Sequence, residues 1–157
     1  GEPDAGRAYG GCSGEALLAG RALVLDRTFS DDEVKAMQAA AGPLVGKHDF
    51  AAYAAAGSSA RTTVRTVRRL EIRRESWSTL GQEMLVVEVE ADGFLYKMVR
   101  TIVAALLEVG LGRCGADRPG ELLEGRDRRL GPATAPPDGL YLARVVYPEP
   151  YGALSRL

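Results

Sequence analysis

The sequence is poor in the residues that most often carry chemistry. Its 157 residues include one histidine, His48, which excludes a multi-histidine metal centre and leaves a Ser-His-Asp triad a poor reading. Two cysteines, Cys12 and Cys114, lie far apart with no partner at metal-ligand spacing. They read better as two reduced thiols of an intracellular protein than as a disulfide. No metal site is expected. No apolar run reaches membrane-spanning length, so no membrane partner is expected either. The start, Gly1-Glu2-Pro3-Asp4, lacks the basic and then apolar stretch of a secretory signal. Glycine in place of an initiating methionine points to a processed or trimmed piece, from which a targeting segment could have been removed.

Chemistry in such a chain must rest on Asp, Glu, Arg, Tyr or shape. The apolar share of 46% and charged share of 26% are those of a soluble globular protein, and the length suits one domain. A net charge of −1 argues against a generic nucleic-acid coat, but the charge is unevenly spread. Arg61, Arg65, Arg68, Arg69, Arg73 and Arg74 fall in one short stretch opposed only by Glu71, while Lys35, Lys47 and Lys97 are the only lysines. Codon bias toward GC-rich triplets would produce this excess. So would a phosphate-facing strand, because guanidinium groups fork onto phosphate oxygens. Composition alone does not separate the two.

Residues 1–20 carry six glycines and few large apolar side chains, and read as a flexible leader. Arg21 to Phe29 suits a short extended piece. Ser30 with Glu33 three residues on forms a capping box for a helix through Val34, Met37 and Ala41 that stops at Gly42-Pro43. Asp49 is placed to cap a second, short helix over Phe50 to Tyr53. Thr62 to Arg74 and Met84 to Ala91 read as strands of an antiparallel hairpin. In the second, Leu85, Val87 and Val89 share one face and Val86, Glu88 and Glu90 the other, so Glu88 and Glu90 would neutralise part of the arginine cluster. From Leu95 to Val109 the apolar period is helical, ending at Gly110. A short helix from Pro119 to Gly125, a proline-rich loop from Gly131 to Gly139, a last strand over Leu140 to Val146 and a tail over 149–157 complete the chain. The order predicts an α+β domain with helices on one face of an antiparallel sheet.

Four segments, in their order and spacing, resemble the C-terminal half of the TruA-type tRNA pseudouridine synthases. They are Gly46-Lys47-His48-Asp49-Phe50, the run Phe94-Leu95-Tyr96-Lys97-Met98-Val99-Arg100, Glu108-Val109-Gly110, and Thr134-Ala135-Pro136-Pro137-Asp138-Gly139-Leu140-Tyr141-Leu142. The resemblance covers about residues 30 to 148, within a domain placed at 21–148. It implies a pseudouridine synthase half-domain whose sheet continues into a second half, with the active-site cleft between them. It also implies an enzyme that works on the tRNA anticodon stem-loop without metal or cofactor, usually as a homodimer. The reaction breaks the C1′–N1 bond of uridine, turns the uracil and rejoins it through C5.

Carried onto this sequence, the resemblance makes Arg100 the catalytic arginine that pairs with the family's aspartate. An adjacent guanidinium keeps a desolvated carboxylate ionised and fixes its direction. Leu140 becomes the leucine against the target base, and Tyr96 a second substrate contact; the alternative for both is plain packing. Leu142 reads as core, Phe94 as a corner anchor, and His48, Asp49 and Asp138 as turn formers. Arg61, Arg65, Arg69 and Lys97 are the candidate RNA contacts.

The family's Arg-Thr-Asp-Gly-Val segment does not occur in this chain, nor does its N-terminal tyrosine. Two readings follow. In one, the chain is the C-terminal domain of a synthase, inactive alone, whose partner is the missing half or another chain. In the other it is a non-catalytic RNA-binding or assembly subunit of a ribonucleoprotein. The compartment stays open between bacterial cytoplasm and an organelle interior. For either reading, charge reversal at Arg65 and Arg69 is expected to weaken RNA binding and flatten its salt dependence. An unchanged slope would mean that these arginines are spent on Glu88 and Glu90.

Overall fold

Asp31 to Ala41 is a helix because its start is capped on both sides. In a computed structural model describing residues 28–76, 79 and 81–145, the Ser30 hydroxyl accepts from the Glu33 amide at 3.2 Å. The Glu33 carboxylate accepts from the Ser30 amide at 2.8 Å, closing the expected capping box. This helix, α1, ends in a 3-10 turn at Gly42–Leu44, where Pro43 blocks further α-helix. Residues 1–20, most of the Arg21–Phe29 piece and the 149–157 tail lie outside the described residues.

Three strands follow, β1 (Gly46–Asp49), β2 (Val64–Ser76) and β3 (Glu83–Ala91), antiparallel throughout and ordered β1-β2-β3. The β2–β3 hairpin is the one expected, in a register running from Val67 opposite Ala91 to Ser76 opposite Glu83, with a shift between Val67 and Arg69. Val67, Leu70 and Ile72 of β2 are buried, and Leu85, Val87 and Val89 of β3 pack on the same core. The opposite face carries no helix among the described residues.

Helix α2 (Met98–Gly110) supplies the largest part of that core. Met98, Ile102 and Leu106 are fully buried, and each is stabilised by about 1.5–3 kcal/mol relative to exposure. It crosses α1 at Gly110, where a Cβ would lie 2.5 Å from Met37 Sδ and 3.0 Å from the Phe29 ring. Any side chain at that place would have to displace the Met37 and Phe29 side chains packed against it. Helix α3 (Arg118–Gly125) packs Leu122 and Leu123 inward. No helix among the described residues is long and apolar enough to cross a membrane.

The architecture is the expected α+β arrangement, with three differences in detail. The segment read as leading into a second helix instead makes β1, pairing Gly46–Asp49 with Val64–Val67. Asp49 accepts from the Ala51 amide at 3.1 Å, but the expected short helix is only a 3-10 turn at Ala51–Tyr53, whose N-cap is Phe50 without a side-chain cap. Helix α2 starts at Met98 rather than at Leu95, because Leu95 to Met98 forms a separate hydrogen-bonded turn. Residues 141–145, read as part of a last strand, have no regular structure, and Leu142 is 78% exposed rather than core. An extended segment becomes a strand only where another strand's edge meets it, and none does among the described residues.

The fully buried Tyr53 joins the 3-10 turn to α3 by donating its hydroxyl to the Pro119 carbonyl at 2.7 Å. Burial pushes its phenol well above the ordinary value, so it stays a donor. Tyr53→Phe is expected to lower unfolding stability by about 1 kcal/mol by removing that buried hydrogen bond. Urea unfolding measures this, and a midpoint equal to wild type would show that the bond contributes nothing net.

Candidate functional site

Three of the sequence-predicted residues, Tyr96, Lys97 and Arg100, lie where the chain enters α2. Asp92 ends β3 by tying its carboxylate to the Thr66 amide at 2.9 Å, while its own amide donates to the Thr66 carbonyl at 3.1 Å. The chain then passes exposed Phe94 and buried Leu95 into a turn closed by the Met98 amide donating to the Leu95 carbonyl at 3.0 Å. Tyr96 and Lys97 sit at its centre. Tyr96 is half exposed, and its carbonyl accepts from the Ala55 amide at 3.0 Å. The Lys97 Nζ lies 5.1 Å from the centroid of the Tyr96 ring, within cation–π range.

Arg100 is the third residue of α2 and is half-buried. Its Nε donates to the Ala135 carbonyl at 2.7 Å, and the Ala135 amide donates back to the Arg100 carbonyl at 3.2 Å. Two bonds of opposite direction thus clamp the proline-rich loop to the helix start. The buried Ala135 methyl and the fixed φ of Pro136 and Pro137 hold the loop beyond it. The Leu140 amide then closes a turn onto the Pro137 carbonyl at 3.1 Å across Gly139, whose φ of 83° suits glycine. Leu140 is left 49% exposed. With Nε committed, the two terminal nitrogens of Arg100 have no partner among the described residues and can fork onto a carboxylate. Ala135 bonds Arg100 through backbone atoms, so no side-chain chemistry in the sequence marks that contact.

The arginine strand divides. Arg69 pairs with Glu88, and Arg73 with both Glu88 at 2.8 Å and Glu75 at 2.7 Å. Arg74 turns to the other face, where it pairs with Asp31 and donates to the Phe29 carbonyl. The Arg65 guanidinium bonds the Thr62 and Val64 carbonyls at 2.9 and 2.7 Å, which leaves its charge uncompensated. Exposed Arg61 and Arg68 have no ion-pair partner among the described residues. Arg68 belongs to the arginine cluster but is not among the candidate RNA contacts, and the register shift beside it is invisible in the sequence. Free positive charge therefore gathers toward the β1 end of β2.

An open pocket of about 190 Å³ lies elsewhere, lined by Glu108, Cys114, Arg118, Leu122 and Pro132 among others. Its polar groups are engaged: Arg113 pairs with Glu108 at 2.9 Å and Arg118 donates to the Leu130 carbonyl at 2.8 Å. Burial pushes the Cys114 thiol up, away from the reactive thiolate. Cys12 lies outside the described residues.

Comparison with known proteins bears on what this arrangement does. The profile of a family described as tRNA pseudouridine synthase matches residues 40–148. Among curated relatives, the chain is 41% identical over 129 residues to a tRNA pseudouridine synthase A of Acetivibrio thermocellus, covering 80% of this chain and 50% of the relative. It is 43% identical over 137 residues to that of Bordetella bronchiseptica, covering 87% and 47%. With the Chlamydia muridarum protein of the same name it shares 46% identity over 119 residues, covering 75% and 42%. The chain spans about half the length of the curated relatives it matches.

The ion pairs of the strand give a pH signature. Hydrogen bonding from Arg73, with the nearby Arg69 charge, holds the Glu88 carboxyl below its ordinary value. A depressed acid contributes stability above its unfolded pKa, about 4.3, and loses it as pH falls through the folded one. Glu88→Gln is therefore expected to melt below wild type at neutral pH. The gap should close as pH drops below the carboxylate range, and it should narrow with added salt. A gap that persists in acid would assign the effect to packing.

Proposed function

Because the chain belongs to the tRNA pseudouridine synthase family, we propose that it forms one wall of the pocket in which a tRNA uridine is isomerised to pseudouridine. The observation that carries the reading is Arg100, fixed through Nε to the Ala135 carbonyl, with no partner for its terminal nitrogens among the described residues. The isomerisation breaks C1′–N1 and forms C1′–C5, with the C5 proton leaving and N1 gaining one. It is neutral overall and needs no oxidant or metal, only an ionised carboxylate in a dry pocket. A carboxylate there would gain a proton unless a guanidinium held it, and Arg100 is placed to do so. The acid itself comes from the length of the relatives that this chain does not span, in the same protein or on a second chain.

Leu140 supplies an apolar surface at the far end of the clamped loop, against which a uracil face can lie. Arg61, Arg65 and Arg69 supply the phosphate contacts, with Arg69 the weakest of the three because Glu88 already neutralises it. The ion pair thus narrows the expected effect of charge reversal to Arg65 and its free neighbours.

In the full-length protein, Arg100→Ala is expected to lower pseudouridine formation by about 10²- to 10³-fold while tRNA affinity stays within a few fold. Turnover measured by release of tritium from C5-labelled tRNA decides this. Turnover at the wild-type rate would remove Arg100 from the reaction. A wild-type protein that binds tRNA and never turns over would instead favour the RNA-binding or assembly subunit.

A further inference from the structure

Lys97 and Arg126 are the two non-glycine residues with positive φ among the described residues, at 58° and 56°. Arg126 directly follows helix α3, where a left-handed residue is an ordinary ending. Lys97 directly precedes helix α2, with φ 58° and ψ 17°, where the flanking residue is normally extended. A left-handed second central residue in a four-residue turn is glycine or asparagine by preference, and a long side chain there is strained. The strain is held by four hydrogen bonds. The Met98 amide reaches the Leu95 carbonyl, the Ala55 amide reaches the Tyr96 carbonyl, and the Thr101 amide and hydroxyl both reach the Lys97 carbonyl at 3.0 Å. The Thr101 side chain is fully buried, and Leu95 and Met98 nearby are buried too.

A clamp of this kind would hold glycine at least as well, so packing does not explain the lysine. What the lysine adds is charge. Its ammonium rests on the exposed Tyr96 ring, one helical turn from Arg100, and the first turn of α2 has no acidic residue. Lys97 and Arg100 are thus three residues apart at the helix start, and neither has a carboxylate paired to it among the described residues. An anion from outside is what such a pair lacks.

We propose that the strained Leu95–Met98 turn is kept for the Lys97 side chain, which it presents with the Tyr96 ring to a backbone phosphate of the RNA strand entering beside Arg100. The inference rests on the reading that this chain binds RNA as part of a synthase, and it names the group that receives the phosphate next to the reacting nucleotide. Thr101 is then a positioning residue, acting through the Lys97 carbonyl.

The test uses four variants of the full-length protein, read by thermal unfolding and by tRNA binding across a salt series. Lys97→Gly and Lys97→Asn relieve the left-handed strain and remove the charge; Lys97→Met removes the charge and keeps the strain; Lys97→Arg keeps both. The glycine and asparagine variants are expected to melt above the methionine variant by on the order of 3 °C. All three uncharged variants are expected to bind tRNA several-fold more weakly, with the salt slope reduced by roughly one phosphate contact. Lys97→Arg should keep wild-type slope and affinity. A glycine variant that melts no higher than the methionine variant would remove the strain argument. A methionine variant with wild-type affinity and slope would remove the phosphate contact. Because binding is read directly, a wild-type protein without turnover would count against the synthase reading alone and leave this test intact.

Discussion

Helix α2 has to be covered on almost its whole circumference, and the rest of the chain is arranged around that need. Nine of its thirteen residues are buried, which one sheet face cannot achieve for a cylinder of side chains. The inner face of β2 and β3 covers one side, α1 another, and α3 with the Tyr53 turn a third. Gly110 lets α1 come close enough to seal the far end. The start of the helix is consequently fixed in space by several kilocalories of packing before any polar contact is counted. A candidate site built on its first turn inherits that rigidity.

The polar contacts then decide what the helix start presents. Arg100 gives one nitrogen to the Ala135 carbonyl and keeps two, so a single side chain both positions a loop and offers a fork. The reciprocal bond from the Ala135 amide makes the loop and the helix one unit, which is why Leu140 is carried on an ordered turn although it is half exposed. On β2, by contrast, most charges are internally matched. Glu88 bridges Arg69 and Arg73 across the hairpin, so an arginine-rich sequence yields a surface with much less free charge than its composition suggests. The cations left over lie toward Arg61, Arg65, Arg68 and Lys97, around the same end of the sheet from which the chain enters α2.

Much of this was legible in the residues. The capping box at Ser30–Glu33, the alternation in β3 and the apolar period of α2 are signals between neighbours in sequence, and the folded chain keeps all three. β1 was not legible, because Gly46-Lys47-His48-Asp49 has neither alternation nor β-branched residues and is a strand only through its pairing with β2. The exposed Leu142 shows the converse: an apolar alternating segment that finds no strand edge stays irregular. Arg100 was found by resemblance, but its anchor was not, since a carbonyl 35 residues away leaves no trace in side-chain chemistry.

The class of fold, the helix that fills the core and the family of the chain can all be read from the order of residues alone. Periodicity, caps and motif spacing are local, and they survive any detail of packing. Which arginines are ion-paired, which backbone carbonyl holds Arg100, and the left-handed turn at Lys97 emerge only in the folded chain. Each of these depends on groups distant in the chain meeting at hydrogen-bonding distance, and that is a property of the packed sheet and helices rather than of any stretch of residues.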